Sequence, residues 1–185
     1  MHPALQNLTQ DHCAIKPGLE LMEVAAGQLL AGEPVDSSFV NWMVTVIGRF
    51  ADGYHYRKEE DFLGRALSAT RDFGGPWAAQ AFQADHALTR HHLGQVRRAL
   101  RQSDYGGPEA RREVATALVA YCAAMRYQLA HEEQAYLPLV EHLLDPEELN
   151  LLGLAFMGVD AELAASKEPV VYETEPEFVT SAAAR

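Results

Sequence analysis

A chain of 185 residues, 48% apolar and 22% charged, has the material for one domain with a substantial core. Its net charge of −11 argues against nucleic-acid binding, which needs clustered Lys and Arg. No apolar run approaches the roughly 20 residues of a membrane span. The two cysteines, Cys13 and Cys122, are too few for a disulfide framework or a thiolate metal site. Met1 to Gln10 lacks the charged-then-apolar pattern of a secretory signal, so a reducing, cytoplasmic setting is expected.

No run of alternating β-branched residues bounded by tight turns occurs, and the chain reads as all-α. A first helix is expected from about Thr9 to Leu30, with Leu19, Met22, Ala26 and Leu29 at helical spacing. Pro17 is expected to kink it or to delay its regular part. After the Ala31-Gly32-Glu33-Pro34 break, a second helix opens at a cap in Asp36-Ser37-Ser38 and runs to about Ser68. Its stripe is Val40, Val44, Ile47, Ala51 and Phe62. The Asp72-Phe73-Gly74-Gly75-Pro76 segment reads as a turn. A third helix follows from about Trp77 to Gln102, with Phe82, Leu93, Val96 and Leu100 inward. Its late Arg97, Arg98 and Arg101 complement the helix dipole.

Ser103 to Gly107 reads as a loop, and Pro108 suits a helix start. The fourth helix is expected from about Glu109 to Leu144, with Ala117, Leu118, Tyr121, Met125, Ala135 and Leu139 along one face. A shorter fifth follows Asp145-Pro146 to about Leu163. The organisation is thus a bundle over residues 1–165 and an acidic, then Ala/Ser-rich tail over 166–185, expected to be extended or flexible. Long helices with short connections imply an up-down antiparallel four-helix bundle with a short fifth C-terminal helix.

The chemistry-bearing residues lie on these helices. His55 and Glu59 stand four apart in the second, about 40° apart around the axis and one turn along the same face. That face also carries Val44, Ala51 and Phe62, so both polar groups are expected inside. A buried carboxylate is costly unless its charge is compensated, and a metal ion does this directly. The fourth helix repeats the pattern: Tyr54-His55-Tyr56-Arg57-Lys58-Glu59-Glu60 aligns with Tyr127-Gln128-Leu129-Ala130-His131-Glu132-Glu133. Gln128 then falls where the first copy has His55. His12 in the first helix and His86 in the third each add an inward imidazole. The candidate set is His12, His55, Glu59, His86, Glu132 and either Gln128 or His131. Carboxylates with imidazoles suit iron, manganese or zinc, and paired carboxylates favour a two-metal site. The opposing reading is that Glu59 or Glu132 pairs with Arg90 or Arg126. His91 and His92 are expected to face solvent, and His2 and His142 lie outside the pattern. Cys13 is expected as a small packing residue, and Tyr54, Tyr121 and Tyr136 as core aromatics.

This order of residues resembles the hemerythrin-like (HHE cation-binding) family over about Leu8 to Val140. The ending Glu132-Glu133-x-x-Tyr136-Leu137-Pro138 is similar to the family's fourth helix. The resemblance implies an up-down four-helix bundle around a carboxylate- and oxygen-bridged di-iron centre. Carried over by position, it implies His12, His55, His86 and position 128 as terminal ligands and Glu59 and Glu132 as bridges. It further implies two irons per chain with an oxo or hydroxo bridge, manganese or zinc being lesser alternatives. Two departures stand out. Gln128 replaces an expected His, and a Gln carbonyl is a weaker ligand than imidazole. His131 is the alternative donor if the helix bulges there. Arg90 stands where the family's oxygen carriers have another His, which resembles the enzyme-like and sensor-like branch.

The expected small ligands are dioxygen, nitric oxide or peroxide, in redox or nitrosative stress. If the protein is an enzyme, it is an oxidoreductase acting on peroxide or nitric oxide. A non-catalytic gas or iron sensor is the second reading, with the acidic segment Val170 to Glu177 available to dock a partner. The third is a bundle that has lost part of its metal site.

Overall fold

The computed structural model describes residues 1–70, 74–102 and 107–166. Every regular element among them is helical, in five helices. Helix α1 (Pro3–Ala31) begins at Pro3 rather than near Thr9. Pro3 occupies its first turn, where a missing N–H is harmless, and the His2 imidazole accepts from the Ala4 N–H at 3.2 Å. The helix runs on through Pro17. Beside it, Gly18 lets α2 come close: a Cβ there would stand 2.1 Å from Ile47 Cδ1. Gly32, at φ 77°, ends α1 in the left-handed region that favours glycine.

Helix α2 (37–69) is capped by Asp36, whose carboxylate accepts from the Ser38 N–H at 2.8 Å. It starts as α-helix over Ser37–Gly48 and widens into π-helical turns at Arg49–His55 and Lys58–Leu63 before closing as α-helix. Helix α3 (Gly74–Gln102) takes in Gly74, Gly75 and Pro76, expected to be turn residues. Helix α4 (108–143) opens at Pro108 as expected and carries its own π turn at Glu132–Tyr136. Pro138 follows that turn, and its missing N–H removes an i→i−4 bond just where the helix widens. Helix α5 (Pro146–Ala165) opens on a capping box, Asp145 with Glu148.

The π turns correct two expected stripes. Each extra residue per turn advances the inward position by one. Beyond Glu59 the fully buried residues are Leu63 and Leu67, and Phe62 is only partly buried. Beyond Glu132 they are Tyr136, Leu137 and Val140, while Ala135 is exposed and Leu139 half-buried.

The buried side chains form two apolar clusters. One holds Ile15, Leu19, Ile47, Ala51, Leu93, Val96, Leu118 and Met125. The other holds Leu5, Leu8, Leu63, Leu67, Phe82, Tyr136, Val140 and Phe156. Full burial of each large side chain stabilises the fold by about 1.5–3 kcal/mol. The order of the clusters along the chain reverses from each of α1 to α4 to the next. In all four helices the same polar layer lies between them: Asp11 and His12, then His55, Lys58 and Glu59, then His86 and Thr89, then Gln128 and Glu132, all buried. Helix α5 packs Leu149, Leu152 and Phe156 into one cluster and Val159 into the other, so it spans the polar layer from outside.

No helix among the described residues is long and apolar enough to cross a membrane. Ser166 closes α5. The rest of the expected tail, including Val170 to Glu177, lies outside the described residues, as do Asp72, Phe73 and the loop positions 103–106.

Candidate metal centre

The two widened stretches of α2 and the one of α4 carry His55, Glu59 and Glu132. π turns of this kind recur at functional sites, because they re-aim side chains that a regular helix would fan apart. His12, His55, Glu59 and Glu132 are each 0% exposed. One donor atom from each of the four lies within 4.8 Å of all the others. His12 Nε2 stands 3.0 Å from Glu132 Oε2, and His55 Nε2 stands 3.5 Å from Glu59 Oε2. His86 closes the group from α3, with Nε2 2.9 Å from Glu59 Oε2 and 3.9 Å from Glu132 Oε1. Four helices thus bring together His12, His55, Glu59, His86 and Glu132, five of the six positions in the candidate set.

Buried polar atoms are nearly always hydrogen-bonded. Here His12 Nε2, His55 Nε2, Glu59 Oε1 and Glu132 Oε2 are all buried and make no hydrogen bond. They converge on one point and are nitrogen and carboxylate oxygen. That donor set fits a transition-metal cation, which accepts several lone pairs at once. The electrostatics agree. Burial alone would lower the His55 pKa, but the charge of Glu59 and the contacts with Asp11 and Glu132 outweigh it and raise it to about 10. Burial likewise opposes the His86 imidazolium, and Glu59 and Glu60 raise its pKa to about 9. Burial would raise the Glu132 carboxyl, yet His12 and His55 hold it far below the usual carboxylate range. The buried carboxylates thus favour positive charge at this point, and a bound cation would supply it.

The outer nitrogens follow one rule. His12 Nδ1 lies 2.9 Å from Glu133 Oε1, His55 Nδ1 lies 3.3 Å from Asp11 Oδ2, and His86 Nδ1 lies 2.7 Å from Glu60 Oε1. Each carboxylate is held in turn by a cation: Glu133 by Lys16 at 2.8 Å, Asp11 by Lys58 at 2.8 Å, Glu60 by Arg90 at 2.7 Å. Carboxylates behind imidazoles fix ring orientation and tautomer, leaving Nε2 for the centre. The Glu-Glu doublets therefore divide their work. Glu59 and Glu132 point inward, while Glu60 and Glu133 orient imidazoles from the adjacent helices. Sequence reasoning missed Asp11, Glu60, Glu133 and Lys58. The available signal was their place beside the inward residues, about 100° round the helix and so facing the neighbouring helix.

Gln128 is 1% exposed and points into this layer. Its amide N–H donates to Glu132 Oε1 at 2.8 Å, and its carbonyl accepts from the Tyr56 and Thr89 hydroxyls at 2.8 and 3.1 Å. Tyr56 also stacks on His86, with ring centroids 3.8 Å apart. Tyr56, which the sequence did not single out, is thus the tyrosine against the centre. Tyr54 donates to Asp160 and Tyr136 to Asp85, and Tyr121 is a fully buried core aromatic. His131 is turned away despite the π turn beside it. It is one-third exposed and faces Asp85 at 3.4 Å.

Neither arginine takes the place of a cation at the centre. Arg90 binds Glu60 and Asp52, and Arg126 binds Glu23 at 2.7 Å. His91 is exposed, and His92 contacts Gln95. Cys13, expected to pack, is exposed, because neighbouring His12 takes the inward position.

The Hemerythrin HHE cation binding domain matches residues 4–145, and the chain belongs to that family. No curated protein matches the chain. Helix α5 lies beyond the matched residues.

Proposed function

We propose that the chain is a non-haem di-iron protein that binds or reacts with dioxygen, nitric oxide or peroxide in a cytoplasmic setting. Its domain covers residues 1–165, with α1 to α4 as an up-down bundle and residues 166–185 as a tail. His12, His55 and His86 would hold the metal through imidazole nitrogen, and Glu59 and Glu132 would hold it through carboxylate oxygen. The observation that carries this reading is the convergence of unbonded, buried His12 Nε2, His55 Nε2, Glu59 Oε1 and Glu132 Oε2. Bound there, an iron pair would supply binding or reduction of these small oxidants. The chain's own part is to fix the imidazoles through Glu133, Asp11 and Glu60, and to keep the layer dry between two apolar clusters. Elemental analysis after gentle purification should find about two irons per chain, as paired carboxylates imply. Less than about half a metal per chain, with no gain on anaerobic iron addition, rejects the reading.

A second reading, a centre that has lost part of its metal site and holds one metal, is favoured by Gln128. Its amide is occupied by Glu132, Tyr56 and Thr89, so the His86 side has a single imidazole while the other side has His12 and His55. One tightly held metal per chain decides for it. Turnover with peroxide or nitric oxide separates an oxidoreductase from a gas or iron sensor.

A further inference from the structure

Lys58 is the one lysine buried in the interior among the described residues, at 0% exposure. Its Nζ donates to Asn7 Oδ1 at 2.7 Å, Asp11 Oδ2 at 2.8 Å and Asp160 Oδ1 at 2.6 Å. Those partners use all three of its N–H groups. The Tyr54 ring covers it at 4.4 Å. Burying an ammonium is costly unless it is paired, and here two carboxylates pair it.

A structural ion pair would need nothing more. Two further facts point inward to the centre. The Asp11 oxygen that Lys58 holds is the same Oδ2 that faces His55 Nδ1. The other two orienting carboxylates are held by half-exposed Lys16 and Arg90, at 40% and 38% exposure. Only the carboxylate behind His55 is held by an interior cation. That cation is anchored in turn by α5, through an Asp160 that accepts from Tyr54 and from Asn7 Nδ2 at 2.9 Å.

We propose that Lys58 is a positioning residue for His55, and that α5 sets the metal affinity of the centre through the chain Asp160, Lys58, Asp11, His55. This rests on the reading of the buried cluster as a metal centre. Asp160 keeps Lys58 in place, and Lys58 keeps Asp11 turned to His55. Asp11 fixes the ring so that Nε2 faces Glu59 and Glu132. A helix outside the family-matched residues thereby controls a ligand inside them.

The test measures ferrous iron affinity anaerobically, by chelator competition, on the full chain. Loss of a group behind a metal ligand typically weakens binding about 10- to 100-fold. Asp160→Asn should weaken iron binding about 10-fold, and Lys58→Met about 100-fold, with helix content unchanged. Asp160→Asn should have no further effect when Asp11→Asn has already cut the chain. It should add to Glu133→Gln, which acts on His12 instead. The visible bands of the cobalt(II)-loaded protein should shift with Asp160→Asn, because the His55 ring turns. Wild-type affinity in Asp160→Asn, or full additivity with Asp11→Asn, overturns the proposal and leaves a structural ion pair. If Lys58→Met fails to fold, Asp160→Asn decides alone. A wild-type chain that takes up no iron overturns the underlying metal-centre reading, and this proposal with it.

Discussion

Gln128 shows what a single residue type can reveal and conceal. Its alignment with His55 places it in the centre, and the structure puts it there, 1% exposed. Its task follows from partners that no spacing rule shows, the hydroxyls of Tyr56 and Thr89 and the carboxylate of Glu132. His12, His55, Glu59, His86 and Glu132 were legible because apolar neighbours mark their helix faces. Asp11, Glu60 and Glu133 were not, because each serves an imidazole on another helix. The geometry makes Gln128 and His131 unequal under substitution. Gln128→His should raise metal retention against a chelator about 10-fold or more, since imidazole binds these metals more strongly than an amide. Helix content should stay the same. His131→Ala should leave retention unchanged, because its ring faces Asp85. A loss of metal in His131→Ala, with Gln128→Ala silent, would reverse these roles.

At the scale of elements, helix positions were readable from apolar spacing, caps and breakers, but the widened turns were not. A π turn has no composition of its own. It arises where neighbouring helices and buried polar groups demand a re-aimed side chain. That is why the expected stripes fail one residue late, at Phe62 and Ala135, in both copies of the repeat. The aligned positions nevertheless behave alike, with Leu63 and Tyr136 both buried beyond their inward Glu. The approach of α1 to α2 depends on a different residue. A side chain at Gly18 would meet Ile47 at 2.1 Å from its first carbon. Gly18→Val should therefore destabilise the fold by about 1–3 kcal/mol, the usual cost of overpacking a filled core. Denaturant unfolding measures it. The pairing Gly18→Val with Ile47→Ala should recover part of the loss, and no recovery would place the strain elsewhere.

Across the whole molecule, the polar layer divides the core into two apolar halves and leaves four buried atoms without a hydrogen bond. A bound cation would give these atoms a shared partner in place of an arrangement whose polar groups are poorly paired, and poor pairing of a buried polar group costs about 1–3 kcal/mol. Metal binding is then folding energy. With free metal at about a thousand times the dissociation constant, the native state gains about 4 kcal/mol. For a chain of this size each kcal/mol moves the midpoint by about 2–4 °C. Chelation should thus lower the melting temperature by about 8–16 °C, with helix content retained before the transition. The drop should shrink sharply in Glu132→Ala, which removes a carboxylate shared by the whole cluster, and persist in His91→Ala, whose ring is exposed. Equal drops in both variants would separate the thermal effect from this layer. A melting curve indifferent to chelator in metal-loaded wild-type protein would mean that the cation adds nothing to the fold around it.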